Sequence, residues 1–385
     1  MEEMISVKCS IVRGGTSKGI FIMENELPKD PESRDKYILE IFGSPDVRQI
    51  NGLGGADVLT SKLAIIGPSS RADADVDYTF GQVSFVDAKV DYKSNCGNIS
   101  AGVGPYAIDH GLVKAVEPFT SVRIHQVNTG MVIVARVAVK NGRAAVDGDL
   151  HIDGVPGLGS AIELDFSDSV GSITGSLLPT GNVTDMITVS DNGSYQVSVV
   201  DAAIPTVFIR AGSLGLKGTE TPDEIEGNGK LMELIEEIRG RCAEKIGLTD
   251  DWKLSARECP YAPFFSIVSE AEAYHTFDGK DVKKEDVDIV SRLLFMQKMH
   301  KTHPVTGTVC MSAAARIPGS IVNQALSGRG KESRKIFIGH PAGVIPVVSE
   351  LETDKTSYRL KTAAILRTAR TIMDGQVYLR KSCII

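Results

Sequence analysis

Two stretches of this chain present the same local signals in the same order, and that repetition narrows the fold more than any single motif does. The first runs "CGNISAGVGPYAI" (96–108) and then "VRIHQVNTGMVIVARVAV" (122–139). The second runs "TGTVCMSAAARI" (306–317) and then "KIFIGHPAGVIPVVSEL" (335–351). Each reads as a turn into a helix of small residues, a strand carrying a histidine, a turn, and a further strand. Cys96 to His125 spans 29 residues and Thr306 to His340 spans 34. A strand before Arg13 leads into the first stretch, and "VSVVDAAIPTVFIRA" (197–211) leads into the second. Matched order of this kind predicts duplicated domains, each presenting a helix N-terminus to a shared cleft.

The elements between these stretches are mostly strands. "ISVKCSIV", "GIFIM", "VDYTFGQVSFV", "YQVSVVD", "FFSIVSEA" and "QVYL" are rich in Val, Ile, Phe and Tyr and are bounded by turn formers. Helical patterns are fewer: Asp35 to Phe42, Ala101 to His110, Lys230 to Ile246, Asp286 to His300, Ser312 to Gln324 and Tyr358 to Met373. The last carries apolar residues at 360, 363–366, 369 and 372, a broad helical stripe. An α+β class of two units fits this better than an alternating βα wheel. The expected boundaries are 1–186 and 187–374, with a C-terminal strand near 375–383 returning to the first unit.

Composition excludes several functions. The net charge of −7 and the lack of a lysine/arginine block argue against nucleic acid as a partner. No apolar run approaches the roughly 18 residues of a membrane helix, and "MEEMISVKCS" does not read as a secretory signal, so a cytoplasmic chain is expected. A homo-oligomer is compatible with this reading. The six cysteines are scattered without a CxxC pair, which argues against a zinc site and a disulfide framework. His300 and His303 have helical spacing, yet no third metal ligand is visible nearby. "RGGTSKGI" (13–20) lacks the order of a phosphate loop. No metal, nucleotide or flavin cofactor is expected.

Cys96 is the residue with chemistry to offer. The plain alternative is a packed thiol, since cysteine is among the most buried residue types. Placed where a helix begins, however, a thiol ionises more readily. The first N–H groups of the helix also bind a carboxylate. "CGN" thus combines an acid/base group with anion-binding amides. That suits removal of a proton from a carbon α to a carboxylate, where charge builds on the oxygens.

"CGNISAG" resembles the half-site of the diaminopimelate-epimerase-like superfamily. More closely, the chain resembles the 2-methylaconitate cis-trans isomerase family, with its methylitaconate isomerase and 4-oxalomesaconate tautomerase relatives. The resemblance rests on "RGGTSKG" (13–19), "GGADVLTSKLAII" (54–66), "SNCGN" (94–98), "LLPTGNVTD" (177–185), "DAAIPTVF" (201–208), "HPVTGTVC" (303–310), "GHPAG" (339–343) and "LRTARTIMDG" (366–375). It implies two similar domains, each a curled sheet around a central helix, with the active site in the cleft between them. It implies Cys96 and Lys62 as the catalytic pair, where Lys62 would otherwise read as a solvated strand-edge lysine. It implies substrate contacts at Thr16, Ser17, Ser61, Gly97 and Asn98, and at Thr306, Gly307 and Thr308 in the second half.

The activity so implied is a cofactor-independent allylic proton shift, or tautomerisation, of a small unsaturated di- or tricarboxylate. Two departures bear on it. Two-base racemases of the superfamily carry a second cysteine where this chain has Thr306, and a hydroxyl is too weak a base for that duty. A lysine that often follows the proline of "APFFSIV" is Phe264 here, which leaves the substrate open. The rival readings are a two-base amino-acid epimerase and a non-catalytic accessory protein of an aconitase-like dehydratase. Which of Cys96 and Lys62 is the base is not legible in the sequence.

Overall fold

The structure is a computed structural model and describes residues 3–92, 96–191, 193–354 and 357–384; positions 94 and 95 of "SNCGN" lie outside them. The chain forms two compact units, Met1–Asp165 with Leu366–Ile385, and Phe166–Ile365. These bounds differ from the 186 and 374 expected above. Before the chain enters the second unit, Ile162–Asp165 still pairs with Met131–Lys140 of the first, whereas Gly171 and Leu177 exchange backbone hydrogen bonds with Asp201.

In the first unit, Met4–Gly14 lies between Ala369–Arg380 and Ser17–Met23, antiparallel to both. Ser17–Met23 runs parallel to Lys62–Pro68, which pairs antiparallel with Val76–Val83. Val76–Val83 runs parallel to Phe119–Gln126, which is followed by antiparallel Met131–Lys140 and Ile162–Asp165. Parallel neighbours need a crossover. The helices Pro31–Phe42 and Gly97–Asp109 supply the two required here.

The second unit repeats this scheme step for step. Asp185–Thr188, Ser194–Ala202 and Ile204–Arg210 are antiparallel. Phe264–Glu270 then joins parallel, Ile289–Phe295 antiparallel and Lys335–His340 parallel. Gly343–Asp354 and Ser357–Arg367 complete the series antiparallel. Its crossover helices are Gly229–Lys245 and Val305–Arg316. The repetition inferred from sequence is therefore a repetition of strand order and direction. Among the described residues, no helix is long and apolar enough to cross a membrane.

In each unit the second crossover helix is buried among strands. Ile99–Gly104 and Tyr106–Ile108 are all buried, as are Gly307–Ala315. A helix apolar or small all round has no face for water and must be a core element. Close approach sets its composition. A Cβ on Gly102 would lie 2.7 Å from the Phe21 ring and 2.9 Å from Val12.

Three helical expectations fail. Asp286 to His300 is not a helix: Ile289–Phe295 is a strand with a turn at Met296 and Gln297, both at positive φ. Its residues Ile289–Leu294 are all buried, because the strand is covered on both faces and flanked on both edges. Tyr358 to Met373 lies in two strands, Ser357–Arg367 and Ala369–Arg380. Short apolar runs satisfy both periods, and the available partner strands decided. Ser312 to Gln324 is broken after Arg316 by Pro318 and by Gly319 at φ +83°, and Ser320 caps a new short helix, Ile321–Ala325.

The start of the second buried helix is tied down by a chain of hydrogen-bonded side chains. The Thr308 hydroxyl donates to the Pro304 carbonyl at 2.9 Å, and His303 Nδ1 lies 2.8 Å from Thr308 Oγ1. His303 Nε2 lies 3.0 Å from Ser291 Oγ, which is 2.9 Å from Ser266 Oγ. Since Thr308 spends its proton on Pro304, its oxygen accepts from a neutral His303 protonated at Nδ1. Burial, aided by the nearby His340 and His300, pushes His303 well below its usual range.

Two outcomes follow for stability. Gly102→Val should lower stability by about 1–3 kcal/mol, the usual cost of overpacking, measured by chemical denaturation. For His303 the neutral form is the native one. Its contribution is present above the ordinary histidine value of about 6.5 and is lost as pH falls below it. The melting temperature should therefore fall more steeply below about pH 6.5 in the wild type than in His303→Asn. Parallel curves would refute the assignment.

Candidate functional site

The first unit gathers its candidate residues where four segments meet. Cys96 is the N-cap residue of Gly97–Asp109, with extended backbone at φ −128° and ψ 102°. Its carbonyl accepts from the Ser100 amide at 2.9 Å and the Ser100 hydroxyl at 3.0 Å, which holds the first turn. Lys62 opens the strand Lys62–Pro68 and is only 9% exposed. Its Nζ lies 3.4 Å from Cys96 Sγ, donates to Gln82 Oε1 at 3.3 Å, and sits 5.3 Å from the centre of the Phe80 ring. The solvated strand-edge alternative for Lys62 is thus excluded.

The turn after Met4–Gly14 closes over the same helix start. A Cβ on Gly14 would stand 2.3 Å from the Asn98 carbonyl oxygen, and one on Gly15 would stand 2.2 Å from Asn98 Oδ1. Gly15 also sits at φ +51°. Only glycine satisfies both the conformation and the approach. Asn98 then donates to Thr16 Oγ1 at 3.0 Å. Ser17 is 2% exposed, and its hydroxyl has no hydrogen-bond partner among the described residues.

Arg13 and Arg367 were not singled out from the sequence, although both stand inside quoted motifs. Arg13 Nη1 donates to the Gly15 carbonyl at 3.0 Å, the Thr368 carbonyl at 2.9 Å and Thr368 Oγ1 at 3.0 Å. It pins residues 366–370 beside the glycine turn. Arg367 is half-buried, and its Nε donates to Asn98 Oδ1 at 3.3 Å. Burial lowers its guanidinium to about 10, with Cys96 acting in the opposite sense, so it remains a cation at neutral pH. Burial and then Cys96 hold the Tyr78 phenol well above its ordinary range.

The remaining sequence candidates are placed as follows. Ser61 is fully buried, and its hydroxyl donates to Gln49 Oε1 at 2.7 Å, which anchors the loop before Lys62. Gly97 is the first residue of the first buried helix. Thr306, Gly307 and Thr308 open the second unit's buried helix, where Thr306 is partly exposed and Thr308 is buried with its hydroxyl spent internally. Phe264 packs edge-on against Phe295 at 5.1 Å, and its ring borders Gly307. Cys310 is buried, donates to the Val200 carbonyl at 3.1 Å, and is pushed up to about 12 by burial. Among the described residues no three metal-ligating side chains cluster. His300 lies outside any helix, and both ring nitrogens of His303 are engaged.

A cation, a thiol, backbone amides and an orphan hydroxyl around one helix start can bind an anion and move a proton beside it. Residues 4–380 match the PrpF protein family. The chain is 54% identical to the 3-methylitaconate isomerase of Eubacterium barkeri over 99% of both chains. It is 36% identical to the 2-methyl-aconitate isomerase of Shewanella oneidensis over 98% of both. A solved structure, the crystal structure of methylitaconate-delta-isomerase, superposes with a TM-score of 0.93 at 53% identity, covering 100% of this chain and 98% of that one. With isomerases as relatives along almost its whole length, this chain belongs to the PrpF family and is an isomerase.

Proposed function

We propose that this chain moves the double bond of a small unsaturated di- or tricarboxylate by an allylic proton shift in the cytoplasm, with Cys96 and Lys62 handling the proton. The observation that carries this reading is the 3.4 Å approach of Lys62 Nζ to Cys96 Sγ at a helix N-terminus. At 54% identity, a methylitaconate-type diacid is the first candidate substrate, and a 2-methylaconitate-type triacid is the second.

One carboxylate of the substrate binds the amides of Gly97 and Asn98, with the Ser17 hydroxyl and Thr16 beside them. The unpartnered Ser17 oxygen supports this, since a buried hydroxyl left unmade costs about 1–3 kcal/mol and a carboxylate oxygen would satisfy it. Thr306 and Gly307 are proposed as further carboxylate contacts. One member of the Cys96–Lys62 pair takes a proton from the carbon α to a carboxylate. The C–H electron pair passes into a dienolate whose charge rests on the carboxylate oxygens. A proton then returns at the far end of the allyl system from the same group or its partner. No electron is gained or lost overall, so no oxidant or reductant enters. Cys310 is too deeply buried to serve as a second base, which favours this reaction over two-base inversion.

Incubating the purified chain with a panel of unsaturated di- and tricarboxylates in deuterated water should place deuterium at an allylic carbon as the double bond moves. Exchange at a stereocentre without such movement would point to an epimerase, and no turnover would overturn the reading. Cys96→Ser should lower kcat by at least about 10²-fold, the scale for one acid/base group. A saturated diacid should protect Cys96 from alkylation ahead of the other thiols.

Lys62 separates two roles. Lys62→Ala should lose both affinity and rate. Lys62→Arg keeps the charge but cannot give up its proton. It should recover affinity while the rate stays down by about 10²-fold or more. Recovery of both would make Lys62 a binding residue only. A wild-type profile for Lys62→Ala would remove it from the site.

A further inference from the structure

We propose that Arg367 is the specificity-determining residue of this site, gripping one carboxylate of the substrate in a two-point contact that a neutral group in the same place does not supply. The proposal rests on the reading of Cys96 and Lys62 as the reacting pair and identifies what sets the charge requirement beside them.

A guanidinium carries five N–H donors. Arg367 uses Nε on Asn98 Oδ1 at 3.3 Å and Nη1 on the Leu366 carbonyl at 2.9 Å, both neutral oxygens. Among the described residues its Nη2 has no hydrogen-bond partner, and no carboxylate lies within ion-pair distance of it. Arg292, almost fully buried, likewise donates to two neutral oxygens, the Glu220 and Ser291 carbonyls, and lies over the Tyr274 ring. Arg13 and Arg316 are held by carbonyl oxygens on several sides, and Arg239 pairs with Glu236. Withdrawing a cation from water without a counter-ion costs several kcal/mol. An anion supplied by a ligand offsets that cost.

Position makes the ligand's identity specific. Asn98 donates to Thr16 and accepts from Arg367, so one side chain couples the guanidinium to the turn that borders Cys96. Lys62, with Nζ 3.4 Å from Cys96 Sγ, is a second basic group at the same helix start. The two groups differ in kind. Lys62 offers a point charge that can exchange a proton, whereas the planar fork of Arg367 matches the two oxygens of a carboxylate. A substrate with a second carboxylate is therefore favoured over one in which that group is neutral.

The test pairs enzyme and ligand variants. Calorimetry would measure binding of methylsuccinate and of its two monoamides to the wild-type chain, Arg367→Gln and Arg367→Lys, with melting temperatures reporting folding. The wild type should prefer the diacid over at least one monoamide by roughly 10- to 100-fold, the range for a hydrogen bond to a charged group. Arg367→Gln should abolish that preference, and Arg367→Lys should recover only part of it. Equal discrimination by wild type and either folded variant would overturn the proposal. So would an unchanged affinity accompanied by a shifted pH profile of Cys96 alkylation, because Arg367 would then act on the thiol. The panel in deuterated water reports separately on the proposed function. A wild type that binds methylsuccinate through Arg367 yet turns over no acid would lose the reaction and keep the carboxylate site.

Discussion

The close packing of the helix Gly97–Asp109 among the strands of its unit is the constraint on which the site depends. Interiors are packed to crystal density, so a helix surrounded by sheet must be thin, and Gly102 meets Phe21 and Val12 where a methyl group would not fit. The same economy continues beyond its N-terminus. Gly14 and Gly15 let the preceding turn touch Asn98 directly, which brings Thr16 and residues 366–370 to the helix start. Because the helix cannot shift without displacing the core, Cys96 at its N-cap is held in place by packing as well as by the bonds its carbonyl accepts from Ser100.

Charge is arranged around that fixed point with one sign in excess. Lys62 Nζ contacts the thiol, and Arg367 lies close enough for Cys96 to act on it. The two candidate proton carriers are also unlike in kind, an amine and a thiol. A polyanionic substrate completes such a site electrostatically. In a medium of low dielectric that completion is worth more than in water.

The second unit shows how a duplicated frame can keep its order and change its chemistry. Its strands pair in the same directions as the first unit's, and its buried helix occupies the same crossover. Where the first helix start carries a thiol beside a lysine, the second carries Thr306 and a closed network of His303, Thr308, Ser291 and Ser266. That network satisfies its own members, so it fixes the helix start instead of offering a base. Phe264 lines the same end with an aromatic ring.

The amino-acid order alone determined the α+β class, the duplication, most strands, the turn into a small-residue helix and the candidate pair of Cys96 and Lys62. These are local or repeated signals: β-branched runs between turn formers, glycine where the backbone must turn, and motifs resembling a known family. Tertiary structure decided the rest. Residues 289–295 and 357–380 satisfy a helical period as well as a strand, and only their partner strands settle the choice. Ser61 and Thr308 look like ligand contacts in the sequence but spend their hydroxyls on Gln49 and Pro304. Arg367 lies 269 positions from Asn98 along the chain. No spacing rule joins residues so far apart, because their meeting depends on the last strands of the chain folding back beside the first.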